Sequence, residues 1–328
     1  MRRLRGVLVM AIRHVPWYRD TYQAHGLPEE QLARFTLADL PCLPTVGKQD
    51  IRPDPRRFVS ERAGRLHAYA TSGSTGTPLT VYMNSTTQRQ WQALYEARCR
   101  NWAGVNRHMK RAMIGGRQVV PHSEPTPPFG RRNLAEGQLY LSAFHISRAT
   151  CADYVRELAA FQPEYLVGYA SAWFFLARFS REEGLEPPKV RAILTSSEKL
   201  EPCMRQEIQE AFEAQAFDAY SGVEACCLAS ECEEHSLHVS PDAGIVEILD
   251  PDGDPVGPGQ QGELVATGLV NLGQPLIRYR TGDLARWSQS VCPCGRGMPV
   301  LGDIVGRLEE VVVGPDGRET VRFHGLFV

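Results

Sequence analysis

The sequence predicts an α/β protein with doubly wound, mostly parallel sheets and a smaller antiparallel β subdomain. Two features carry that expectation. Between residues 149 and 220, helical and strand patterns alternate, with connections long enough to hold a helix, as parallel strands require. Beyond residue 240, strand-forming runs are separated by turns, which is how antiparallel strands are joined.

The elements follow in order. Residues 1–60 mix short helical patterns with breakers at Pro16, Pro28, Pro41, Pro44, Pro53 and Pro55, and read as a helical wrapper. The start, Met1-Arg2-Arg3-Leu4-Arg5 and an apolar run over 6–12, meets Arg13-His14 with no small-residue cleavage site. It is also far short of the ~20 apolar residues that span a bilayer, so an amphipathic first helix is expected. Residues 66–70 and 79–83 are strand formers that bracket a Thr, Ser and Gly run. From 85 to 102, Trp91, Leu94, Tyr95 and Trp102 fall on one helical face, with Ser85 as the cap. Residues 115–140 hold several Pro and Gly and read as loop. Next come helix 149–161, strand 165–168, helix 172–183 stopped by Gly184, strand 190–195, helix 202–214 and strand 216–220. Strands at 244–249, 263–267 and 276–279, with an Asp252-Gly253-Asp254 turn, complete the pattern.

Bulk properties exclude some functions. The chain of 328 residues is 43% hydrophobic and 23% charged, with a net charge of -2, so neither nucleic acid nor an anionic membrane surface is an electrostatic partner. Nine scattered cysteines in a chain this long argue for a reducing compartment, and the expected location is cytoplasmic.

In doubly wound sheets ligands sit at the carboxyl ends of strands, which singles out Gly168-Tyr169, Ser196-Ser197-Glu198 and Tyr220-Ser221-Gly222 as the lining of one crevice. Thr71-Ser72-Gly73-Ser74-Thr75-Gly76-Thr77-Pro78 offers hydroxyls and free N–H groups suited to phosphate oxygens. It lacks the Lys of a Walker loop, and a strand rather than a helix follows. Cys292-x-Cys294, together with the distant Cys232 and either His235 or His238, can supply the tetrahedral set that structural Zn²⁺ prefers. The competing reading is reduced cysteines and surface histidines without metal. Cys226-Cys227 reads as small apolar filler.

These motifs resemble those of the adenylate-forming superfamily. The Thr71–Pro78 segment resembles its phosphate-binding loop, Tyr220-Ser221-Gly222-Val223-Glu224 is similar to its Tyr-Gly-x-Thr-Glu motif, and Tyr279-Arg280-Thr281-Gly282-Asp283 looks like its Tyr-Arg-Thr-Gly-Asp motif. Val15-Pro16-Trp17-Tyr18-Arg19 and Cys292-Pro293-Cys294-Gly295-Arg296 resemble the phenylacetate-coenzyme A ligase branch. The resemblance implies an adenylation core over 61–306, with the antiparallel subdomain at 240–306 inside it, and a hinge with the start of a lid domain at 307–328. It places Ser72, Gly73, Ser74, Thr75, Gly76 and Thr77 around the phosphates, with Thr75 and Glu224 catalytic and Glu224 on Mg²⁺. Asp283 would take the ribose hydroxyls and Arg307 the ribose or phosphate. Ser197, Glu198, Asp218, Ala219, Tyr220 and Ser221 would frame the nucleotide, while Tyr169, Ser197, Tyr220 and Gly222 would face the acyl group. For the zinc set, the resemblance favours His238 over His235.

The implied activity is ATP-dependent conversion of a carboxylic acid, expected to be aromatic, to acyl-AMP, then to a thioester with coenzyme A or the phosphopantetheine of an acyl carrier protein. A homodimer is compatible with the sequence. Ser221 and Val223 replace the usual Gly and Thr, and Glu309-Glu310 stands at the acidic hinge. No match to the lid's catalytic Lys precedes Val328, so this chain alone is expected to be impaired. Two other readings remain: a catalytically impaired nucleotide- or acyl-binding module, and a zinc-stabilised interaction protein.

Overall fold

The structure, a computed structural model, describes residues 1–71 and 78–307, and the backbone of 311–313 and 319–321. It divides into two units. Of the described residues, the first is built from Met1–Leu94, Ser221–Ala229 and those from His238 on; the second from Tyr95–Tyr220 and Ser230–Leu237.

The first unit opens with α1 (Arg2–His14), whose Leu4, Val7, Leu8, Ala11 and Ile12 are all buried. That is the spacing of one helical face, and each of its Leu, Val and Ile side chains contributes about 1.5–3 kcal/mol on burial. Val15 is extended, as the residue before a proline tends to be, and Pro16 starts α2 (Pro16–Ala24). Buried Tyr18 and Tyr22 face inward from α2, and Trp17 stacks on Phe58 at 4.8 Å. Two one-turn helices follow, α3 (Glu29–Leu32) and α4 (Lys48–Ile51). The predicted strand pair appears as an antiparallel hairpin of β1 (His67–Ala70) and β2 (Thr80–Met83). Helix α5 (Ser85–Tyr95) is capped by Asn84, whose Oδ1 accepts from Thr87 N at 2.8 Å, so the cap lies one residue before the expected Ser85. The helix then passes into one wider turn at Glu96–Arg100 rather than running evenly to 102.

The second unit contains β3 (Arg111–Gly115), β4 (Gly130–Asn133), β5 (Gln138–Ser142), α6 (Cys151–Phe161), β6 (Tyr165–Gly168), α7 (Ala170–Glu182), β7 (Ala192–Ser196), α8 (Pro202–Phe212) and β8 (Gln215–Ser221). The strand order is β8-β7-β6-β3-β5-β4. All neighbours are parallel except β4, which runs antiparallel to β5. Residues 115–140 are therefore not all loop. β4, Gly-Arg-Arg-Asn, has no β-branched residue and is a strand because β5 templates it. The chain leaves β3 for β5 on one side and returns to β6 on the other, so the order reverses at β3. That reversal is where an open α/β sheet leaves room for a ligand. Gly168 has φ +135, and any side chain there would collide with the backbone of Ile114. Only glycine permits this approach of β6 to β3. Trp173 fills the core beneath, edge-on to Phe212 at 5.7 Å, with its indole N–H bonded to Val167 O at 3.1 Å.

After the short strands β9 (Leu228–Glu231) and β10 (Leu237–Val239), the first unit resumes with β11 (Gly244–Leu249), β12 (Gln261–Gly268), β13 (Tyr279–Trp287) and β14 (Val300–Arg307), antiparallel in sequence order. The backbone of β15 (Val311–Val313) and β16 (Glu319–Val321) forms a separate antiparallel pair. The expected strand over 276–279 begins only at its last residue. Arg278 has φ +47 and breaks the extended run, while Leu276 and Ile277 are buried in the loop before it. The Arg278 guanidinium is 3.1 Å from Glu247 and donates to the carbonyls of Pro41 (3.1 Å) and Leu43 (2.6 Å). Val46 exchanges backbone bonds with Arg278 and Arg280, so the N-terminal segment is stitched to the start of β13. Tyr18 adds a second stitch, its hydroxyl accepting from Ile277 N at 2.9 Å. Among the described residues no helix is long and apolar enough to cross a membrane.

Candidate functional site

In the first unit, Glu224 sits within a tight turn in which Ala225 N bonds to Gly222 O at 3.1 Å. Beneath it Cys226 and Cys227 are buried, and burial pushes both thiols up, Cys227 to about 12. A side chain at Gly244 would strike the backbone of Cys226, so this turn is sunk against β11. Glu224 Oε1 accepts from the buried Tyr279 hydroxyl at 3.0 Å. Four residues along β13, Asp283 stands opposite Arg307 of β14, with Arg307 Nε 2.9 Å from Asp283 Oδ1. Thr281 braces the pair: its Oγ1 accepts from Asp283 N (3.1 Å) and donates to Leu264 O (2.9 Å), and its carbonyl accepts from Arg307 Nη1 (3.3 Å). Glu224, Asp283 and Arg307 thus come from three separate stretches of sequence into one unit. Val223, exposed beside Glu224, brings no hydroxyl.

In the second unit, the residues at the strand ends are organised around α7. Tyr169 is its N-cap residue, and its hydroxyl lies where a side chain on Gly116 would sit, at the end of β3. Burial raises its pKa, with Glu198 adding to the effect. Glu198 Oε2 accepts from both N (3.0 Å) and Oγ (2.6 Å) of Ser171 in the first turn of α7, a favourable place for a carboxylate because helix N-termini carry unpaired N–H groups. Ser197 is exposed with φ +71, a strained conformation for a residue with a side chain. Asp218 turns its carboxyl inward: Oδ1 accepts from Thr195 Oγ1 at 2.7 Å, and its N–H donates to Glu231 at 2.8 Å. Burial pushes its pKa up to about 7; the Thr195 bond opposes this and the Glu231 charge adds to it. Ala219 is buried and Tyr220 half-buried; Ser221 and Gly222, counted with the first unit, are half-buried and exposed. Ser171 and Tyr279 are missed by the sequence reading. A serine two residues into a helix would signal the first, and nothing local signals the second.

The expected metal donors are brought together. One ligand atom from each of Cys232, His238, Cys292 and Cys294 lies within 4.8 Å of the others. Cys294 Sγ is 3.3 Å from His238 Nε2. His235 is engaged elsewhere, its Nδ1 3.1 Å from Arg205 and its Nε2 3.2 Å from Gln215. Two or more thiols with an imidazole at this spacing fit a soft, tetrahedral ion better than a hard one. The residues expected to cradle phosphate, Ser72, Gly73, Ser74, Thr75, Gly76 and Thr77, lie outside the described residues.

A parallel α/β unit with its strand-end residues, and an antiparallel unit bearing a Glu and an Asp in motif order, match the organisation that the resemblance to adenylate-forming enzymes implies. Comparison with known proteins narrows the class. The chain is 27% identical over 324 residues to the phenylacetate-coenzyme A ligase of Thermus thermophilus, covering 95% of this chain and 70% of that protein. A Pseudomonas putida protein of the same name is 29% identical over 324 residues. Protein CapK of Staphylococcus aureus is 30% identical over 251 residues, which is 76% of this chain but 54% of CapK, so the chain matches about half the length of that relative. Among solved structures, a 2-hydroxyisobutyryl-CoA ligase in a postadenylation state superposes with TM-score 0.74 at 23% identity over 97% of this chain and 69% of that one, a likeness of fold. No family model matches. Along 95% of its length the chain is similar to phenylacetate-coenzyme A ligases.

Proposed function

We propose that the chain carries the nucleotide- and acid-binding machinery for converting a carboxylic acid, of aromatic or similarly small organic type, to acyl-AMP and then to a coenzyme A thioester. In the first step a carboxylate oxygen bonds to the α-phosphorus of ATP and pyrophosphate leaves. In the second, a thiol sulfur bonds to the acyl carbon, AMP leaves with the bonding electrons, and the thiol proton passes to solvent. The single observation that carries this reading is the placement of Glu224, Asp283 and Arg307 in one unit, on a turn and two adjacent strands.

Asp283, braced by Thr281, is a hydrogen-bond acceptor suited to ribose hydroxyls, and Arg307 beside it suits ribose or phosphate oxygen. Glu224 is half-buried with oxygen donors only, which fits Mg²⁺. Bound there, Mg²⁺ would neutralise phosphate charge that builds as pyrophosphate departs. Tyr169, Ser197, Tyr220 and Gly222 are assigned to the acyl side. Glu198, Asp218, Ala219 and Ser221 are assigned to the nucleotide side. Thr75 and its neighbours over 72–77 are assigned to the phosphates on motif order alone. A structural zinc on Cys232, His238, Cys292 and Cys294 belongs to the same reading, as do coenzyme A, or a carrier protein in its place, and a cytoplasmic setting.

Incubation with ATP, Mg²⁺, coenzyme A and a panel of aryl and short-chain acids tests it. AMP and one acyl-CoA product should accumulate together, with AMP release dependent on the acid. AMP formation indifferent to every acid offered would remove the proposal.

A further inference from the structure

Glu224 reaches the site on a half-exposed side chain with three rotatable bonds, and a carboxylate on such a stem samples many positions unless something holds it. Two groups do. Tyr279 donates its hydroxyl to Oε1 at 3.0 Å, and Gly222, lacking a side chain, leaves the space that Oε2 occupies. Tyr279 itself cannot move. It is fully buried, pairs with Ala266 across β12 and bridges Val46, and follows the Arg278 that Glu247 and two carbonyls lock in place.

We infer that Tyr279 is a positioning residue: its buried hydroxyl fixes Oε1 of Glu224 so that the carboxylate is presented to the divalent cation in one orientation. The inference rests on the reading that Glu224 binds the nucleotide's cation, and it gives the first residue of the Tyr279–Asp283 segment a task distinct from that of Asp283. The geometry also explains why position 222 is glycine, since any side chain would displace Oε2.

The test is binding of Mn²⁺, a paramagnetic substitute for Mg²⁺, in the presence of ATP without acid, read by electron paramagnetic resonance for wild type, Tyr279→Phe, Glu224→Gln and the double variant. A hydrogen bond to a charged group sets the scale, so Y279F should weaken Mn²⁺ binding about tenfold while metal-free ATP affinity stays the same. In the Glu224→Gln background the same change should have little further effect. A merely structural role would instead lower thermal stability and leave the metal constant alone. If Y279F does not fold, Gly222→Ala, which crowds Oε2 from the other side, should weaken Mn²⁺ in its place. Equal Mn²⁺ affinity in wild type and Y279F, or in wild type and G222A, overturns the inference and leaves the adenylation reading standing. Wild type that binds ATP but no Mn²⁺ overturns both.

Discussion

Asp283 and Arg307 face each other across β13 and β14, with Arg307 Nε 2.9 Å from Asp283 Oδ1. The pair joins the acid assigned to the ribose with the cation assigned to ribose or phosphate. Asp283→Ala should therefore weaken AMP and ATP binding about tenfold or more, the scale of a charge-assisted hydrogen bond. Arg307→Ala should weaken ATP more than adenosine, because only ATP offers phosphate. Titration calorimetry with the three ligands checks both outcomes, and equal losses for ATP and adenosine in R307A would contradict the assignment of Arg307 to phosphate.

Arg278→Met should cost about 3–5 kcal/mol of stability, because it strands the Glu247 carboxylate and releases the carbonyls of Pro41 and Leu43. Urea unfolding measures the loss. A change below about 1 kcal/mol would mean the arginine behaves as a surface ion pair.

Stability should carry a pH signature from Asp218. An acid whose pKa is higher folded than unfolded takes up a proton on folding. The contribution of Asp218 is therefore complete below its ordinary 3.8 and is lost as pH rises to about 7. Asp218→Asn removes that slope. Unfolding midpoints measured at several pH values across this window should fall less steeply for the variant than for wild type; parallel profiles would contradict the buried-acid account.

Metal analysis of protein purified without chelator should return about one zinc per chain, as a single four-donor site requires. Cys294→Ser should lose most of it and lower the melting temperature, while His235→Ala should retain it, because His235 contacts Arg205 and Gln215. Zinc retention by C294S would move the site elsewhere.

Much of the fold is legible because it rests on local pattern. Tyr165–Gly168 and Gly244–Leu249 have the expected bounds, and Ala170–Glu182 starts two residues early and ends one early. Local pattern fails where pairing decides. β4 carries two adjacent arginines and becomes a strand by docking on β5, and β3 is a five-residue strand that opens with Arg111 and closes with Gly115. The apolar residues Leu276 and Ile277 satisfy the period of a strand, yet the left-handed backbone of Arg278 postpones it. At the site, Glu224 and Asp283 stand in recognisable motifs. The hydroxyl that holds Glu224 lies 55 residues away, and only the fold brings Tyr279 there.

Carboxylate-dependent exchange of labelled pyrophosphate into ATP isolates the first half-reaction and tests the account most directly. Exchange should appear with a particular acid, need a divalent cation, and fall sharply in Glu224→Ala and Asp283→Ala. Exchange absent across aryl and aliphatic acids in protein that binds ATP, or equal in wild type and both variants, would contradict it.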